Sequence, residues 1–279
     1  MADNPIVIEP ADGVGAYVSN LDLSRPASNN VTGLLRQALG EHGVLFFRGQ
    51  NISPEQHIAF AESFGAINVN RFFPAIDGFP QIAQVKKEPS ENKVIGSKWH
   101  TDHSYDKLPA MGSILVSRTT PQRGGDTVFS NMFLAFEHLS DGLKKTLMTL
   151  NALHSSRHVF GTNVDTEGRY KNAESATQDT VHPIVISHPI SGKKALYVNP
   201  QFTVGIEGWN NEESKSLLEM LYQHAVKPEF THRFKWQPGS VAFWDNRATW
   251  HCALNDYPTE TRLMHRITVE GEALHAANI

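Results

Sequence analysis

The sequence predicts a mainly β fold, a sandwich or jelly roll with helices packed on its outside. Three observations carry this. Short β-prone runs separated by turn signals occupy most of the chain, helical periodicity is confined to a few segments, and strands and helices do not alternate as a βαβ fold requires. No internal repeat or low-complexity block is present, which removes solenoids and propellers. At 279 residues, a single domain spanning 1–279 is expected.

Residues 6–23 mix short β-prone runs with Gly13, Gly15 and Asp22. Leu34, Leu35, Ala38 and Leu39 recur at helical spacing between Val31 and His42, and Gly43 stops the pattern. Val44 to Phe47 then reads as a buried strand. Ser53 opens the clearest helix: it can act as N-cap, Pro54 suits the first helical position, and Gln56 can close a capping box. Ile58, Ala61 and Phe64 supply its apolar face before Gly65. Further helices are expected from Ser140 through Leu150 and from Glu212 to Ala225, the latter turning Leu217, Leu218, Leu221 and Tyr222 inward. Strands are expected at Gly112–Arg118, Val181–Ser187, Ala195–Asn199, Val241–Trp244 and Leu263–Val269, with turns at Pro121 before Gly124-Gly125, at Ser191-Gly192 and at Pro238-Gly239. The polar stretch 161–180 reads as a long loop, either a lid or a surface excursion.

Composition bounds the function. The chain is 40% hydrophobic and 19% charged with a formal net charge of -4, so it is globular and offers no long-range attraction to nucleic acid or an anionic membrane. Its one cysteine, Cys252, excludes an intramolecular disulfide and fits a reducing compartment. No stretch is apolar enough to span a bilayer, and no basic segment followed by an apolar run opens the chain, so a cytoplasmic location is expected.

The chemistry concentrates at Trp99-His100-Thr101-Asp102. On an extended segment, residues two apart share a face, so His100 and Asp102 can grip one metal ion. Two neutral imidazoles and one carboxylate arranged facially leave three positions open on ferrous iron, for a bidentate cosubstrate and O2. A third ligand candidate, His251, ends the run from Trp244 to Trp250, just beyond a turn and a strand. Arg262 and Arg266, four apart on a β-like stretch, share a face and suit bidentate pairing with carboxylates. Gly124-Gly125-Asp126-Thr127 brings a hydroxyl out of a tight turn, where Thr127 can join Arg262 on an anion. Each feature alone also has a plain structural reading: core histidines, surface arginines, a hairpin turn. A zinc-dependent hydrolase or a metal- or oxoglutarate-sensing protein without turnover would use the same three ligands.

Together, the His100-x-Asp102 pair, Gly124 to Thr127, Trp244 to Arg247, His251 and Arg262-x-x-x-Arg266 resemble the taurine dioxygenase and chlorophenoxyacetate dioxygenase family, in order and spacing, from about Gly13 to Gly271. The resemblance implies a double-stranded β-helix (jelly-roll) core. It implies Fe(II) held by His100, Asp102 and His251, with 2-oxoglutarate and O2 as cosubstrates. By the same likeness Arg262 and Thr127 hold the distal carboxylate of 2-oxoglutarate, Trp244 packs beside the site, and Arg266 faces the acidic group of the substrate. Halogenating relatives carry a small residue in place of the ligand carboxylate; Asp102 is a carboxylate, so hydroxylation is expected. Relatives often self-associate, so a homo-oligomer is a further expectation.

Departures from the taurine-specific pattern bear on the substrate. Asn70 stands where a His is expected, Phe73 where a Tyr is expected, and Gly96 and Val159 where polar groups are expected. A small zwitterion would lose several hydrogen bonds, at about 1 kcal/mol or more each. The runs around Val94-Ile95-Gly96, His154-Ser155, Val159-Phe160-Gly161 and Thr180 to Pro183 are closer to the aryloxyalkanoate-cleaving branch, and Phe72, Phe73, Val159, Phe160 and Phe202 can form an apolar chamber. The favoured expectation is a hydrophobic organic anion, an aryloxyalkanoate whose ether is cleaved. An alkyl sulfonate or sulfate ester is the rival.

Overall fold

A computed structural model describes residues 5–92, 94–162, 164 and 170–278. The large sheet runs, in spatial order, Val7–Pro10, Ala16–Ser19, Val44–Phe47, Val241–Asp245, Gly112–Thr119, Arg262–Val269, Phe79–Lys87 and Ala75–Ile76, with Ile67–Asn68 also paired to Arg262–Val269. Strands remote in sequence are neighbours in space, and every pair is antiparallel except Ala16–Ser19 with Val44–Phe47. Smaller sheets complete the jelly roll. Thr127–Asn131 lies between Thr231–Phe234 and Thr249–Ala253, Asn151–Ser155 lies between Asp179–Pro183 and Thr203–Ile206, and Val185–Ser187 pairs with Lys194–Leu196.

The two-residue period of the strands sorts side chains between two cores. Along Val44–Phe47, Leu45 and Phe47 join one apolar cluster while Val44 and Phe46 join another, and along Val241–Asp245, Val241 and Phe243 part company with Ala242 and Trp244 in the same way. The outer cluster lies under helices Asn29–His42 and Pro54–Glu62, through Leu35, Leu39, Phe60 and Ala61. The inner cluster fills the space between the sheets: Phe46 stacks on Phe234 with centroids 4.4 Å apart and meets Phe129 at 5.6 Å. A third cluster seats helices Met132–Glu137 and Asn211–Ala225 on the back of the smaller strands. Each fully buried Leu or Phe contributes about 1.5–3 kcal/mol.

The Ser53 capping box forms as expected, with Gln56 closing it. Gly43 ends the first helix at φ 75, returning its N–H to the Leu39 carbonyl. Other expectations are corrected. Leu34 is 43% exposed, off the buried stripe. The helix begun at Ser140 is shorter, Asp141–Leu147. The expected strand Val181–Ser187 is two strands with different partners, because Pro183 has no N–H to continue the ladder and the chain changes sheets at Ile184. The strand expected to reach Asn199 stops at Leu196; the Asn199 side chain accepts from the backbone of Gln201 and Phe202, turning the chain. Within 161–180, a short 3-10 turn occupies Ala173–Ser175 and a strand begins at Asp179; residues 163 and 165–169 of that expected excursion lie outside the described residues. No helix among the described residues is long and apolar enough to cross a membrane.

Candidate active site

The segment carrying His100 lies against the strand Thr249–Ala253. His100 and His251 form an antiparallel bridge, each donating its N–H to the other's carbonyl at 3.1 and 2.8 Å. Neighbouring strands therefore bring together two histidines far apart in sequence, with ring centroids 4.1 Å apart. Asp102, two residues beyond His100, completes the set: His100 Nε2 lies 3.7 Å from its Oδ1 and His251 Nε2 4.0 Å from its Oδ2. One donor atom from each of the three falls within 4.8 Å of the others, and all three side chains are buried.

The donor chemistry fits a metal. His100 Nδ1 donates to the Lys98 carbonyl at 2.7 Å, which leaves the Nε2 lone pair free toward Asp102 and fixes the tautomer a metal ligand needs. Burial lowers the pKa of both imidazoles, and His100 presses His251 down further, so both rings are neutral and ready to coordinate. Burial works to raise the Asp102 carboxyl, but the Arg266 guanidinium outweighs it and holds it well below the ordinary carboxylate range. Ser113 Oγ donates to Asp102 Oδ2 at 2.9 Å, and Arg266 Nη1 lies 3.2 Å from Oδ1. Gly96, at φ 77, passes directly beside this centre; a Cβ there would meet His100 Cε1 at 3.3 Å. The polar side chain of the taurine-specific pattern would therefore need the His100 ring to give by a few tenths of an ångström, at a φ that favours glycine.

Arg262 and Arg266 do share a face. On Arg262–Val269 the inward positions are Arg262, Met264, Arg266 and Thr268, while Ile267 and Val269 enter the outer core. Arg262 is 3% exposed, and among the described residues no carboxylate lies within ion-pair distance of it. Its Nε donates to the Gly125 carbonyl at 2.9 Å, its Nη2 reaches Thr127 Oγ1 at 3.5 Å, and its guanidinium lies over the Trp236 ring. Trp236 Nε1 donates to the same Thr127 hydroxyl at 3.0 Å. Burial without a matching anion lowers the Arg262 pKa. A buried guanidinium in this state is able to take up an anion.

Both ends open into one cavity of about 50 Å³. His100, Asp102, His251, Thr127, Trp244, Arg262 and Arg266 line it, together with Asn70, Phe73, Gly96, Phe160 and Phe202. Trp244 packs at 4.6 Å from the His251 ring, its Nε1 engaged by Asn246. Asn70 faces the cavity, but its side-chain oxygen accepts from the backbone of Phe72 and Phe73. Phe72 and Val159 are not in the lining; Phe72 instead backs Phe160, stacked at 4.3 Å. His103, Tyr105, Tyr170 and Gln201 also line the cavity, and Trp236 stands behind Thr127; none of these is singled out by the sequence alone. An i, i+3 His103–Asp106 pair directly after the His-x-Asp motif, and Phe234 alternating with Trp236 before Pro238-Gly239, are the signals that point to two of them. The Trp244-Asp245-Asn246-Arg247 motif plays a supporting part: buried Asp245 is bracketed by Arg247 at 2.7 Å and His188 at 3.0 Å, bracing the turn that delivers His251.

A family model described as the taurine catabolism dioxygenase TauD, TfdA family matches residues 8–268. The chain belongs to the TauD/TfdA dioxygenase family. An alkylsulfatase of Acinetobacter baylyi is 36% identical over 95% of this chain and 84% of its own length. An alpha-ketoglutarate-dependent sulfate ester dioxygenase of Pseudomonas putida is 33% identical over 95% of this chain and 89% of its own. An alpha-ketoglutarate-dependent 2,4-dichlorophenoxyacetate dioxygenase of a Burkholderia strain is 31% identical over 91% and 90%. The crystal structure of a taurine dioxygenase from Burkholderia xenovorans superposes with a TM-score of 0.82 at 36% identity, covering 96% of this chain and 92% of that one. As a TauD/TfdA member the chain is a 2-oxoglutarate-dependent non-haem iron dioxygenase that uses Fe(II), 2-oxoglutarate and O2. The zinc hydrolase and the sensor without turnover are thereby set aside.

Proposed function

We propose that His100, Asp102 and His251 hold the iron, that Arg262 and Thr127 receive the distal carboxylate of 2-oxoglutarate, and that Arg266 receives the anionic group of a hydrophobic substrate. The observation that carries this is the pair of buried guanidiniums on one strand face. Arg262 has no carboxylate partner among the described residues, and Arg266 has only Asp102. With Asp102 engaged by Fe(II), both guanidiniums would be left for anions, one cosubstrate and one substrate.

Iron with 2-oxoglutarate and O2 supplies the oxidising power that hydroxylates a C–H bond and releases succinate and CO2. The chain's own residues do the rest. Arg262 and Thr127 orient the cosubstrate from a dry corner, and Arg266 fixes one end of the substrate. Phe73, Phe160 and Phe202 exclude water around the other end. Asp102 occupies the position that a halide would need, which supports hydroxylation as the outcome.

The substrate we propose is a hydrophobic anion whose target carbon bears an ether or ester oxygen, so that the hydroxylated product falls apart. Aryloxyalkanoates and alkyl sulfate esters share that property. The aromatic lining favours the former, and the identities of the sulfate-ester relatives favour the latter. Succinate release in air across phenoxyacetates, alkyl sulfates and taurine tests the reading. Substrate-dependent succinate from either hydrophobic class, and little from taurine, is expected. Taurine as the best substrate, or no succinate with any anion of the panel, would sink it.

A further inference from the structure

We propose that His103 is a specificity-determining residue: its Nε2 accepts a hydrogen bond from a hydroxyl or N–H group of the substrate, at a point away from the anion held by Arg266. This rests on the functional reading above and deepens it.

His103 lines the cavity, yet it stands outside the ligand-capable set of His100, Asp102 and His251. Its backbone adopts φ 61, a left-handed conformation that a residue with a Cβ rarely holds without compensation. The ring is locked from behind. Nδ1 lies 2.8 Å from Asp106 Oδ2, and Asp106 donates its own N–H to the His103 carbonyl at 3.0 Å. The other oxygen of Asp106 accepts from Arg71 Nη2 at 2.7 Å, and the Asp106 carbonyl contacts His182 Nε2 at 2.9 Å.

This buttressing sets the chemistry of the free nitrogen. In the neutral ring, a carboxylate acceptor at Nδ1 places the hydrogen there and leaves a lone pair on Nε2. Nε2 itself is buried and has no hydrogen-bond partner among the described residues. An apolar residue would fill the chamber wall without leaving a buried acceptor unpaired. A rigidly held, unpaired nitrogen on a residue that lines the substrate chamber is suited to meet a donor on a substrate that packs against it.

The test compares matched probes on the iron-loaded protein with 2-oxoglutarate in air. Phenoxyacetate is set against its 2-, 3- and 4-hydroxy and methoxy derivatives, and hexyl sulfate against 6-hydroxyhexyl sulfate. At least one hydroxy probe should exceed its parent about tenfold in kcat/KM, the methoxy counterpart should gain nothing, and the ratio should collapse in His103→Phe. Histidine labelled with 15N gives a second readout that needs no variant: on the zinc-loaded protein the preferred hydroxy probe should shift the His103 Nε2 resonance and its parent should not. Turnover with no hydroxyl preference, a methoxy preference, an unmoved resonance, or a preference that survives in His103→Phe would each overturn the role of His103 while leaving the dioxygenase reading intact. No turnover of any probe would remove the substrate reading, and the role of His103 with it.

Discussion

Arg266 Nη1 lies 3.2 Å from Asp102 Oδ1 while its guanidinium rests 4.5 Å above the Phe73 ring. One cation thus touches both the carboxylate of the metal set and the apolar wall of the chamber. Arg266→Gln should raise the Michaelis constant for the primary substrate at least about tenfold, since a charge-assisted hydrogen bond is worth about 1.5–3 kcal/mol. The Michaelis constant for the oxoglutarate cosubstrate should change by less than about threefold, because Arg262 is untouched. Steady-state kinetics in both substrates decide it. Equal rises in the two constants would contradict the division of labour between the arginines.

Thr127 has two neighbours to satisfy. Its hydroxyl accepts from Trp236 Nε1 at 3.0 Å and lies 3.5 Å from Arg262 Nη2. Thr127→Val keeps the shape but strands the buried indole N–H, so it should cost about 1–3 kcal/mol of stability. It should also weaken 2-oxoglutarate binding several-fold and spare the primary substrate. Urea unfolding, together with the Michaelis constants for both substrates, checks both halves; a variant as stable as the parent would show that the Trp236 contact contributes nothing.

His57 predicts an acid weakness remote from the active site. It sits fully buried on helix Pro54–Glu62, and among the described residues its ring nitrogens have no well-formed hydrogen bond, only a weak contact with the Ile114 backbone. Burial, reinforced by the Arg118 charge, lowers its pKa to about 3. An unfolded histidine titrates near 6.5, so between these values the unfolded chain holds a proton that the folded chain lacks. Stability therefore falls as pH drops from about 6.5 toward 3, by about 1.4 kcal/mol per unit. His57→Leu should cut the loss between about pH 6.5 and about pH 5 by about 2 kcal/mol, with His154, also lowered to about 3, supplying much of the remainder. Chemical unfolding at the two pH values measures this. An unchanged loss in the variant would remove His57 as the cause.

Much of this architecture was legible where local chemistry and tertiary structure agree. The Ser53–Gln56 capping box and the run Val44–Phe47, bounded by Gly43, each carry their own start and stop signals. The face shared by Arg262 and Arg266 follows from strand periodicity alone. What sequence could not show depends on partners far along the chain. The strand Thr127–Asn131 is short and half polar, and it is a strand because Thr231–Phe234 and Thr249–Ala253 flank it. Val159 and Phe72 looked like chamber residues because they are apolar and stand at or beside positions that hold substrate in taurine-specific relatives, but the turn of Arg157–Phe160 sends Phe160 to the cavity with Phe72 behind it. His103 escaped notice because a histidine at a left-handed position leaves no periodic trace.

The pairing of His100, Asp102 and His251 with Arg262 is tested most directly by anaerobic visible spectroscopy. Ferrous iron and 2-oxoglutarate should together give a weak charge-transfer band that saturates at one iron per chain. His251→Ala should abolish it by removing an iron ligand, and Arg262→Met should demand far more 2-oxoglutarate to reach it. A folded, iron-loaded wild type without the band, or a full band at unchanged 2-oxoglutarate concentration in either variant, would contradict the assignment.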